Sequence, residues 1–143
     1  MPPKKPIISW ANYYAKVSIK KYSVPFLMDI ESQLNTYDLI LGLDYDYYVL
    51  GHADQIYKKE EMLNLVELNR KTLNNYLDLC LDLVDQAKSR EDLLEEIIIL
   101  EDLSVDLNEY YFLSSTMAAL LSYLHYRGAI KYQIENGRLY FYK

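Results

Sequence analysis

The side chains best suited to chemistry lie between Leu113 and Lys143, and their chemistry is that of contact. Met117, Leu120, Leu121 and Leu124 recur at helical spacing and mark a buried stripe. The opposite face carries Ser115, Ala119, Ser122 and Tyr126, with Ser114 and Thr116 at its start and flank. Short hydroxyls donate to and accept from base edges, and a methyl touches a thymine methyl. The same smooth Ser/Ala surface also suits packing against a helix of another protein. Beyond it, Lys131 and Arg138 stand on either side of Asn136-Gly137 and are placed to meet phosphate. Lys4 and Lys5, in a Pro-rich start, form a second, loose basic arm.

Other reactive residues make weaker constellations. Asp44 and Asp46, with His52 nearby, have the carboxylate clustering that divalent-metal chemistry needs, but in a Tyr- and Leu-rich connector they read as solvated acids. Two His, His52 and His125, are too few for a zinc site. The one cysteine, Cys80, sits on an apolar helix face and reads as a core filler. The expectation is therefore a protein with no catalytic residue, cofactor or metal.

The elements that must position the contact face follow from punctuation. Between His52 and Arg127 there is neither Pro nor Gly, so this stretch should be mostly helical. Ser23 as a cap, Pro25, and the stripe Phe26, Ile30, Leu34 and Tyr37 predict a helix, and Leu39 to Gly51 a short helix or a tight connector. Lys58 to Gln86 carries Met62, Val66, Leu73, Tyr76, Leu77, Cys80 and Val84 on one face, interrupted at Asn69-Arg70. It reads as one long helix that dimerises through its Leu face, or as two helices meeting near Asn69. In the second case Met62 to Leu77 resembles the helix-turn-helix of many repressors, with Arg70, Lys71, Asn74 and Asn75 as readers. Ser89 caps a helix to Leu103, with Asp92 completing a capping box. Asp106 to Phe112 reads as a short helix. The helix from Ser114 ends at Arg127, with Gly128 as its stop. Strands around 129–134 and 138–142 flank the Asn-Gly turn.

The order of helix, Gly stop, strand, Asn-Gly turn, Arg and aromatic strand resembles the recognition helix and wing of winged-helix regulators of the ArsR and MarR type. The matching residues are Leu113-Ser114, Thr116, Leu121, Leu124, Arg127-Gly128, Ile130, Asn136-Gly137-Arg138 and Tyr140. The resemblance implies a major-groove helix and a wing that reaches phosphate. The helix face lacks the Arg, Lys, Asn or Gln that usually pair with base edges. Two partners therefore stay open: double-stranded DNA, or a protein at the Ser/Ala face of helix 114–127 within a larger nucleic-acid-processing complex.

Composition bounds these readings. The chain has 143 residues, 51% hydrophobic and 25% charged, which is ordinary globular chemistry. A net charge of −6 excludes a simple basic coat for nucleic acid. The charge is segregated, however. Residues 1–28 carry five Lys and no acid, residues 78–109 carry eleven acids against Lys88 and Arg90, and residues 113–143 carry four bases against Glu135. The 16 Tyr suit interfaces. A lone cysteine, no signal-like start and no long apolar run point to a reducing intracellular compartment, away from the membrane. The expectation is a mainly α protein: a basic tail at 1–6, a helical region at 7–88 with a dimerisation helix at 58–86, and a C-terminal winged helix-turn-helix at 89–143. Its expected role is that of a small transcription regulator acting as a homodimer, or of a non-catalytic docking subunit.

Overall fold

The computed structural model describes residues 7–9, 27–50 and 55–143. The elements run β1 (Ile7–Ser9), α1 (Ile30–Leu41), β2 (Tyr47–Leu50), β3 (Ile56–Lys58), α2 (Lys59–Leu83), β4 (Lys88–Ser89), α3 (Arg90–Leu100), α4 (Leu107–Tyr126), β5 (Lys131–Glu135) and β6 (Arg138–Tyr142). Among the described residues the strands make two three-stranded sheets, ordered β1-β2-β3 and β4-β6-β5. In the first, β1 is parallel to β2 and β3 antiparallel to it. In the second, β6 is the central strand, antiparallel to both neighbours.

The mainly α expectation is thus corrected: the fold is α+β. Periodicity in Tyr47-Tyr48-Val49-Leu50 and Ile56-Tyr57 is too short to distinguish strand from connector, and pairing with a neighbour decides it. The hairpin expected as a short wing forms, and β6 also pairs with β4 through Lys88↔Phe141 and Ser89↔Tyr140, which makes a three-stranded sheet.

α2 is a single helix of 25 residues, so the alternative helix-turn-helix at 62–77 does not form. Asn69, buried at its middle, satisfies its own amide by donating to the Leu65 carbonyl at 2.7 Å, which removes any need for a break. The Leu face assigned to dimerisation is covered within the chain. Met62, Val66, Leu73, Leu77 and Cys80 are all buried and belong to the same core as Tyr37 of α1 and Leu120 and Leu121 of α4. The helices expected at 106–112 and from Ser114 are one, α4, capped by Asp106 with Glu109.

Helix ends follow local chemistry. Ser89 caps α3 in a reciprocal box with Asp92, as its sequence predicts. α4 ends at Gly128, whose φ of +73° lets Ala129 N–H reach the Leu124 carbonyl and Gly128 N–H the His125 carbonyl. α4 lies at the centre and contacts α1, α2 and α3. Among the described residues no helix is long and apolar enough to cross a membrane.

Candidate interaction surface

α4 has two faces with different neighbours. Leu113, Thr116, Met117, Leu120, Leu121 and Leu124 are buried, each burial of an aliphatic side chain stabilising by roughly 1.5–3 kcal/mol. Thr116 was expected on the contact flank. It is 1% exposed, and its hydroxyl accepts a 3.0 Å hydrogen bond from the Leu27 backbone N–H. That bond ties the stretch ahead of α1 to the side of α4. Ser114 is half-buried.

The consequence is a groove where a free helix face was expected. Ser115, Ala118, Ala119 and Ser122 face Met28, Asp29, Ile30 and Glu31 across a space of about 550 Å³, which Tyr123, Tyr126, Arg90 and Arg127 also line. The small side chains of α4 are what leave this space empty. Tyr126 is 85% exposed.

The groove has mixed charge. The Asp29 carboxylate caps α1, accepting from the Ser32 backbone N–H at 2.9 Å and from its hydroxyl at 2.7 Å, and these bonds hold its pKa below the usual value. Glu31 is exposed beside it. Arg90 is paired with Glu91 at 2.6 Å, whereas Arg127 is exposed at the C-terminal cap of α4.

Arg138, half exposed beside the hairpin tip, is engaged within the chain. Its guanidinium donates to Ser89 Oγ at 2.6 Å and to Asp92 Oδ1 at 3.0 Å, and lies 5.6 Å from the centroid of the Tyr140 ring. It braces β6 to the start of α3. The Asp92 pKa is lowered, first by the bonds from Ser89 and then by the Arg138 charge. Sequence spacing could not show this pairing, because Arg138 and Asp92 are 46 residues apart. Lys131 is exposed and opposite Tyr142. Lys4, Lys5 and His52 lie outside the described residues.

The hairpin also carries an exposed apolar face. Tyr132, Ile134, Leu139 and Phe141 share one face by register, since Tyr132 pairs with Phe141 and Ile134 with Leu139. Only Phe141 is buried; Tyr132, Ile134 and Leu139 are 51%, 65% and 42% exposed. The ring of Tyr132 meets the His125 ring edge-on at 5.0 Å. The cue was present in the alternation of Tyr-Gln-Ile before the turn and Leu-Tyr-Phe after it.

Other reactive residues have local partners. Asp44 binds the Lys59 ammonium at 2.7 Å, and Asp46 offers its carbonyl to the Lys59 backbone. Cys80 lies 3.7 Å from the Met117 sulfur, and burial pushes its thiol pKa up to about 12. Among the described residues no three His, Cys, Asp or Glu are grouped to hold a metal.

Neither a family model nor a curated relative matches the chain. Among solved structures, it is similar to a beta-lactamase domain protein from Burkholderia ambifaria, with a TM-score of 0.65 and 12% identity. The match covers 77% of this chain and 32% of that one, so it spans about a third of the other protein. At this identity the likeness is one of fold, and it stands with the α+β assignment.

Proposed function

We propose that the chain is a non-catalytic binding protein and that the groove beside α4 takes a helical segment of a partner protein. The observation that carries this reading is the position of Met28–Glu31 against the Ser/Ala face. A recognition helix must protrude into a major groove about 12 Å wide. Here a second strip of chain stands beside the helix and brings the Asp29 and Glu31 carboxylates, which repel phosphate. The cation expected to anchor the hairpin on DNA is held by Asp92. A partner helix suits the site better. The small floor residues admit close approach, Tyr123 and Tyr126 offer amphipathic rings, and Arg127 offers a charge at the groove end.

A photo-crosslinking residue at Ala119, compared with one at Lys71 on α2, tests the reading together with duplex titration in increasing salt. A discrete partner protein should crosslink from position 119 and not from 71, and should be lost on Ser122→Glu. Duplex binding that weakens steeply with salt and is lost on Ser122→Glu would overturn it in favour of DNA.

A further inference from the structure

We propose that β5 pairs antiparallel with β5 of a second copy of this chain, about a two-fold axis at Gln133, joining the two C-terminal sheets into one. Asn136 and Gly137 have φ of +50° and +79°, the geometry of a two-residue type I′ hairpin. Such a turn closes with Glu135 and Arg138 as a hydrogen-bonded pair, and the register then alternates. Glu135, Gln133 and Lys131 direct their backbone groups to β6. Tyr132 and Ile134 direct theirs to the other side.

That other side is an edge among the described residues, where the sheet order is β4-β6-β5. The next outward-facing residue, Ile130, has its carbonyl engaged by His125 Nδ1 at 3.2 Å. The open backbone is therefore the stretch containing Tyr132 and Ile134, and Gln133 is its midpoint. A two-fold axis there sets Tyr132 opposite Ile134 of the second copy, and Ile134 opposite its Tyr132. Both become hydrogen-bonded pairs, so every outward N–H and C=O of the stretch finds a partner.

The side chains agree with this register. The segment Lys131-Tyr132-Gln133-Ile134-Glu135 has chemistry that complements its own reverse. Lys131 meets Glu135 of the second copy on one face, twice by symmetry. Tyr132 meets Ile134 on the other, twice again. Edge charges usually block pairing. Here they have opposite signs and stand equally far from the centre, so antiparallel pairing neutralises them, while parallel in-register pairing sets Lys131 against Lys131. The exposed Tyr132, Ile134 and Leu139 of the two copies then form one continuous apolar face. An edge contact of this kind buries less than the roughly 1,200–2,000 Å² of a stable complex, so the dimer is weak and concentration-dependent.

Sedimentation equilibrium of the whole chain over a wide concentration range, with amide exchange at low and high concentration, tests this. The parent should pass from monomer to dimer, and the Tyr132 and Ile134 amides should become protected as it does. Glu135→Lys sets like charges opposite each other and should weaken association by at least about tenfold. The double reversal Lys131→Glu/Glu135→Lys should restore it. Ile134→Pro removes an outward N–H that the β5–β6 ladder does not use, and should abolish the dimer with the hairpin kept. A parent that stays monomeric at its highest soluble concentration overturns the proposal. So does a dimer whose Tyr132 and Ile134 amides stay unprotected, or one indifferent to both charge reversal and Ile134→Pro. None of these residues lines the groove, so failure here leaves the groove reading intact, and the reverse holds.

Discussion

In the N-terminal sheet, Tyr48, Leu50 and Tyr57 are buried, whereas on the matching face of the C-terminal hairpin Phe141 is buried and Tyr132, Ile134 and Leu139 are exposed. Both sheets have three strands and comparable aromatic content. What separates them is the cover. α2 follows β3 directly and packs against β2 and β3, while the second sheet is held chiefly through β4 and the start of α3, with His125 of α4 touching Tyr132 at its edge. The first sheet is therefore core, and the second presents apolar surface that a single copy leaves wet. A patch of that kind marks a place for contact.

The largest test of this contrast is at the core shared with the first sheet. Leu77→Asp places a charge at a position 8% exposed within a single chain. It should cost on the order of 4 kcal/mol or more and erase the cooperative thermal transition. Had α2 been a dimerisation helix, the same variant would instead yield a folded monomer, which light scattering and circular dichroism distinguish.

Tyr48→Ala removes a ring that is 1% exposed and whose hydroxyl donates to the Leu43 carbonyl at 3.1 Å. It should destabilise by about 3–5 kcal/mol in urea unfolding. Ile134→Ala, at an exposed hairpin position, should shift stability by less than about 0.5 kcal/mol in dilute solution. Equal losses at the two positions would break the contrast.

A smaller effect is expected at the joint holding the second sheet. Ser89→Ala deletes the α3 cap and one acceptor of Arg138, for an expected loss of about 1 kcal/mol. Arg138→Ala should cost about 0.5–1 kcal/mol, since its ion pair is half exposed, and should leave duplex affinity unchanged.

The smallest effect is in acid. The Asp92 pKa is lowered in the folded chain, so its contribution is present above the unfolded carboxylate value and is lost as pH falls through the folded value. Asp92→Asn should therefore flatten part of the stability loss on acidification below the ordinary carboxylate range, seen in urea midpoints taken across pH. A profile unchanged by the substitution would show that the Ser89–Asp92–Arg138 joint carries no proton linkage.

Much of the helical frame was legible because its signals are local. The Ser89–Asp92 box, the Gly128 stop, the Asn136-Gly137 turn and the apolar stripe of α4 each lie within a few residues of one another, and each formed as read. The continuity of α2 was ambiguous, because Asn69 interrupts a pattern without revealing that its amide bonds to Leu65. The strands before α2 were not legible, since runs of three or four residues acquire their state from a neighbour.

For the contact surface, the residue types were readable and their availability was not. Sequence alone determined that α4 has a smooth Ser/Ala face and that a charged, Tyr-rich hairpin follows it. Those properties depend on side-chain size and on periods of 3.6 and 2, which any stretch of chain carries with it. Tertiary structure decided what stands next to them. A backbone bond to Thr116 laid Leu27 along α4 and turned the face into a groove. Pairing with β4 brought Arg138 to Asp92 and, among the described residues, left β5 at the edge of its sheet. These are contacts between residues 46 to 89 positions apart, and whether a cation meets solvent, a carboxylate or a partner depends on distances in space that no local pattern encodes.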